Sequence, residues 1–195
     1  MTESINLSAV FSIENEELVL VYEVTNNDTL DVYLLNRLFR STPAWELSPA
    51  VIYVHLQRDD KTVWLNKKIA DIPKDVNVTA PVSPFVTPVR SGAAFKEEVR
   101  IPLPVVEYRQ YGAYGGGPSE AARKSEPVPV TYEYVFFTLG YFWGAKGTTE
   151  ETRDIQGTEV IIPTLPPEAR PPRFGELHTE LKRLDIPVLE ARGGS

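Results

Sequence analysis

The sequence predicts an all-β protein, an antiparallel sandwich of about seven to nine short strands followed by an extended proline-rich arm that carries a short helix. Three observations lead there. Apolar residues alternate with polar ones over many short runs, as strands with one wet face require. Groups of Asn, Asp, Gly and Pro punctuate those runs like turns. Before the C-terminal tail there is neither a convincing helical pattern nor the strand-helix alternation of a parallel sheet.

Over 5–13 the odd positions Ile5, Leu7, Ala9, Phe11 and Ile13 are apolar, with Asn6, Ser8 and Ser12 between them, which predicts a first strand. Residues 18–25 are apolar on both faces, the mark of a more central strand. Asn26, Asn27 and Asp28 tolerate left-handed backbone and turn the chain into a third strand over 32–39. Residues 52–57 and 62–66 alternate about a turn at Arg58, Asp59, Asp60 and Lys61, which predicts a hairpin. Pro73, Pro81, Pro84 and Pro88 remove backbone donors, so 70–92 is expected as an extended crossing or edge segment. Alternation resumes over 95–101, and the aromatic, β-branched run 130–143 is the expected central core strand. A last strand is expected over 158–162. The sandwich is thus assigned to 1–162 and the arm to 163–195. In the arm, Pro163, Pro166, Pro167, Pro171 and Pro172 favour a polyproline path, and Leu177, Leu181 and Leu184 fall at helical spacing before Pro187.

Leu18-Val-Leu-Val-Tyr-Glu-Val-Thr-Asn-Asn-Asp, followed by Val99-Arg-Ile-Pro-Leu-Pro, resembles the pattern of bacterial immunoglobulin-like domains. The intracellular proteinase-inhibitor-like domains belong to that broad group. The likeness spans 5–162 and implies an immunoglobulin-like sandwich; no reactive-loop motif accompanies it, so it assigns no site residue.

Composition narrows function. At 195 residues and 42% hydrophobic, the chain is long enough to bury a core. Twenty basic against 27 acidic residues give a formal charge of −7, which disfavours general nucleic-acid binding, a process driven by cationic side chains. The absence of cysteine excludes disulfides, thiolate metal sites and cysteine nucleophiles, leaving His55 and His178 for imidazole chemistry. The acidic start and the lack of an apolar segment of about 18 residues predict a cytoplasmic protein without a membrane span.

Three features could bind a partner. Tyr108, Arg109, Tyr111 and Tyr114 sit among the glycines of 108–117, an amphipathic surface on an adaptable backbone, and read either as a recognition loop or as tyrosines lying back on the sheet. Tyr141, Trp143 and Trp64 could form a stacking platform for sugar rings, or else pack in the core. Phe174, Leu177, Leu181 and Leu184 give the arm an apolar side that needs a surface: its own domain, a second copy or a partner's groove.

Catalytic constellations are missing. The two histidines lie far apart in sequence, Glu97 and Glu98 point to opposite faces of one strand, and no serine has a nucleophile-elbow context. The expectation is a non-catalytic module for protein interaction or assembly, with no metal or cofactor. A carbohydrate-binding module is the alternative, and a hydrolase assembled in space around His55 a more remote one.

Overall fold

The protein is described by a computed structural model covering residues 4–40, 45–72, 74, 77, 82–111 and 127–190. Among them, two sheets and a two-stranded ribbon carry fifteen strands. The smaller sheet is antiparallel, in the order β1 (Ile5–Glu14), β2 (Glu17–Asn26), β9 (Ala94–Pro102). Asn15 and Glu16 both take positive φ at its first hairpin, the backbone that matches the twist of the flanking strands.

The larger sheet is built on β11 (Val128–Trp143). One edge of β11 pairs with β15 (Lys182–Glu190) and β14 (Phe174–His178), both antiparallel. The opposite edge changes partner along its length. Tyr134 to Leu139 pair in parallel with β7 (Thr62–Lys67), and Tyr141 to Trp143 pair antiparallel with β3 (Val32–Arg37). β6 (Tyr53–Gln57) extends β7, while β8 (Phe85–Val89), β13 (Thr158–Thr164) and β12 (Thr149–Ile155) extend β3. β10 (Val105–Val106) runs parallel beside β15, and β4 (Phe39–Arg40) pairs with β5 (Glu46–Leu47).

Gly140 sits where β11 passes from β7 to β3. A Cβ there would lie 2.8 Å from Lys68 Cβ and 3.1 Å from Leu35, so only glycine lets the two strands converge.

The two sheets share one core. Leu18, Leu20, Tyr22 and Val24 of β2 meet Val63 and Leu65 of β7 and Val135, Phe137 and Leu139 of β11. On the outer face of the larger sheet, Tyr33, Leu35, Val86 and Phe142 are covered by Leu165 and by Ala169 of a short 3-10 turn (Pro167–Ala169). No helix among the described residues is long and apolar enough to cross a membrane.

The all-β class is as the alternation predicted, and the architecture differs in four respects. First, the larger sheet is mixed: β7 with β11 and β10 with β15 are parallel pairs. Each parallel pair is separated by a long stretch of chain, so no hairpin imposes antiparallel direction. Second, Leu177, Leu181 and Leu184 lie on no helix. Leu177 is in β14, Leu184 is in β15, and Leu181 falls between them. Pairing with β11 supplies the backbone partners and apolar surface that an isolated helix of that length lacks. Third, the proline-bearing segment contributes β8, flanked by both β3 and β13. β13 meets it only at Ile161 with Val86, so Pro88 interrupts no ladder on that side. Fourth, β12 was not foreseen, because its six leading residues are exposed on both faces and show no apolar alternation.

Candidate functional site

Of the residues expected to form a recognition loop, Tyr108 and Tyr111 are anchored and Arg109 stands half exposed. Tyr108 exchanges backbone hydrogen bonds of 2.8 and 2.9 Å with Val54, and its ring lies 6.0 Å from that of Tyr53. Arg109 is paired with Glu107, and the Tyr111 hydroxyl accepts from the Val82 N–H at 2.7 Å. Tyr114 lies outside the described residues, as does most of the glycine-rich stretch.

The expected aromatic platform is split between two faces. Tyr141 and Trp143 form an edge-to-face pair at 5.8 Å and pack against the shared core, whereas Trp64 lies on the outer face. Strand register places a different row there. His55 stands opposite Trp64, Trp64 opposite Phe136, and the His178 ring stacks on Phe136 at 5.7 Å and 7°. Trp64 and Phe136 are tilted to each other at 5.9 Å. Burial, helped by nearby Arg109, holds the His55 imidazole below its ordinary pKa. At the far end of the row Thr138 Oγ1 and His178 Nδ1 are 3.3 Å apart.

Between the sheets lies a polar cluster with no counterpart among the expected sites. Inward alternation along β7 carries Lys67 below Val63 and Leu65, and alternation along β9 carries Glu97 beside Val99 and Ile101. Lys67 Nζ, fully buried, donates to Glu97 Oε2 at 2.6 Å and to the Pro49 carbonyl at 2.9 Å. The Tyr22 hydroxyl donates to the same Glu97 oxygen at 2.6 Å, and Arg37 Nη1 lies 3.4 Å from the other. Asn36 Nδ2 reaches the Tyr22 hydroxyl at 3.4 Å, while its Oδ1 is buried without a hydrogen-bond partner among the described residues. Desolvation pushes the Lys67 ammonium down despite the Glu97 charge, and desolvation together with Glu97 pushes the Tyr22 phenol up. Half of the signal for this cluster was readable: Glu97 holds an inward position of an alternating strand, whereas Lys67 lies one residue past the expected end of its own. No group of three or more His, Asp or Glu side chains that could hold a metal occurs among the described residues.

The third feature is an edge. β1 ends the smaller sheet, and among the described residues β2 is the one strand it pairs with. From Leu7 to Ile13 the strand carries no charge and no proline, and its register with β2 is unbroken over the whole of its length. Among the other outer strands, β10 is only two residues long, β6 is bridged to Tyr108, β14 carries Glu176, and β9 and β12 are guarded by charge. β9 presents Lys96, Glu98 and Arg100, and β12 presents Glu150, Glu151, Arg153 and Asp154. Val10, at 67% exposure, is the most exposed large apolar side chain among the described residues. A groove of about 530 Å³ runs beside it, with Leu7 to Phe11 as one wall and His178 to Lys182 as the other. The arm residues divide accordingly: Leu177 and Leu184 pack on the core, while Leu181 and Phe174 are each 56% exposed.

Fold and edge together describe an all-β protein whose longest uncharged run on an outer strand, among the described residues, lies on β1 and includes Leu7 to Ile13. Comparison with family models, with curated proteins and with solved structures finds no match to this chain.

Proposed function

We propose that the chain is a non-catalytic assembly module that binds protein by accepting an added strand along β1. The carrying observation is the contrast between edges. The outer strands β9 and β12 bear the charges that block strand addition, and β1 offers an uncharged, unkinked run from Leu7 to Ile13. Main-chain hydrogen bonds to that run would supply affinity, and the groove between β1 and 178–182 would take side chains. Leu181, one of the residues expected to dock a partner, stands on the opposite wall.

A photo-reactive side chain placed at Val10, in the cell that makes the protein, tests this reading. Position 10 should give a discrete adduct mapping to β1 on the chain's side, and position 23, exposed on the neighbouring β2, should give none. Absence of adducts at position 10, or equal labelling at both, would contradict strand addition.

The outer row favours a second reading, carbohydrate binding, because Trp64 presents an open ring flanked by Phe136 and the two imidazoles. Titration with cellohexaose and xylohexaose, followed by tryptophan fluorescence, should then show a signal that Trp64→Ala abolishes. An unchanged spectrum with both sugars removes this reading.

A further inference from the structure

The occupant of the β1 edge follows from the pattern of β1 itself. We propose that the strand added is β1 of a second copy, antiparallel, about a two-fold axis through Val10. This rests on the strand-addition reading and goes further by naming the partner and the register.

Antiparallel pairing sets residues directly opposite one another on the same face, so register decides which side chains meet. Centred on Val10, it sets Val10 against Val10 of the partner, Ser8 against Ser12, Ala9 against Phe11 and Leu7 against Ile13. Both exposed apolar side chains of the strand are then covered: Val10, 67% exposed, by its own copy, and Ile13, 39% exposed, by Leu7. A shift by one residue would set Val10 opposite the inward-facing Ala9 or Phe11 and turn the partner's core face to water, and a shift by two would set Val10 opposite Ser8 or Ser12 instead of its own copy.

Charge supports the same occupant. Two molecules of formal charge −7 repel at a distance, but the paired segment carries none of that charge, so no like charges stand opposite within it. The product is one continuous antiparallel sheet of six strands, β9-β2-β1 and its symmetry copy, closed by a two-fold axis and ending on guarded β9 strands. The partner's strand would lie in the groove bounded by 178–182, where Leu181 adds buried apolar area. That addition matters, since a stable interface needs about 800 Å² per partner, more than one strand edge supplies.

The chain contains no cysteine, so single cysteines report the register directly. Under mild oxidation, purified Val10→Cys should form a disulfide dimer readily, because the two thiols face each other across the axis. Ser8→Cys and Ser12→Cys should each crosslink poorly alone and well when mixed, since residue 8 faces residue 12 of the partner. In Val10→Lys, two ammonium groups meet at the axis and dimer affinity should fall about tenfold or more, with circular dichroism unchanged because the side chain points outward. Equal crosslinking at all three positions, or none at position 10, overturns this pairing. If position 10 fails to crosslink in the pure protein but still labels a different protein in cells, self-pairing is wrong and strand addition stands. If neither occurs, both are wrong.

Discussion

Lys67 keeps no contact with water, and what surrounds it determines what its loss would do. Glu97 is its charge partner at 2.6 Å, and Tyr22 and Arg37 converge on the same carboxylate. Glu97→Ala would strand a buried ammonium, and a loss of about 3–5 kcal/mol is expected by urea unfolding. Lys67→Met combined with Glu97→Leu should lose much less than the sum of the two single changes, because neither charge is then left alone. Additive losses would show that the two groups do not share one site.

The phenols give a pH prediction. Burial, first of all, raises Tyr22, Tyr33, Tyr53 and Tyr132, and carboxylates reinforce it at Tyr22, Tyr33 and Tyr132. In the unfolded chain these groups ionise near pH 10, so above that pH the native state holds more protons and stability falls as pH rises. Lys67 acts with the opposite sign. Its native pKa is depressed, so between that value and the unfolded 10.5 the unfolded state holds the extra proton and stability rises with pH. Urea midpoints should therefore rise or stay level toward about pH 10 and drop beyond it, with a smaller drop in Tyr22→Phe. A flat profile to pH 11 would contradict the burial of these phenols. Alternation along β9 places Glu97 with Val99 and Ile101, but the expected strand ended at 66, one residue short of Lys67, which continues the inward row of Val63 and Leu65. That Lys67 and Glu97 meet depends on how the two sheets stack, which one strand's pattern cannot encode.

Strand β11 organises the larger sheet, and Gly140 is the point where its neighbour changes. Gly140→Ala would press a methyl against the Lys68 backbone, and about 1–3 kcal/mol of destabilisation is expected from denaturant unfolding. Gly175 is related in kind: the Tyr141 ring lies over it across the β11–β14 pair, so an added Cβ would fall 2.5 Å from the ring.

At this scale strands with one wet face were legible, and those governed by distant partners were not. Leu184, Ile186 and Val188 alternate with period two, yet the spacing of Leu177, Leu181 and Leu184 also fits a helix turn. What decided between them was the free edge of β11, which lies elsewhere in the sequence. β12 had no apolar face to read at all; its hairpin partner β13 and the positive φ of Gln156 and Gly157 place it.

For the molecule as a whole, the outer strands differ in what they would present to a second chain. Charges stand on the outer strands β9 and β12, and the run from Leu7 to Ile13 on β1 carries none. The alternation of that run was plain in the sequence. Its position at a sheet end was not, because a strand's neighbours are fixed by topology and not by its own pattern. The structure anchors Tyr108 and Tyr111 and folds Leu177 and Leu184 onto the core, leaving Leu181 beside β1.

Light scattering on the full chain over a wide concentration range, beside Val10→Lys, tests the assembly most directly. The chain should approach twice its 21.9 kDa mass as concentration rises and dissociate on dilution, while the variant stays monomeric over the same range. A wild-type chain that remains at the monomer mass throughout would contradict self-assembly through β1.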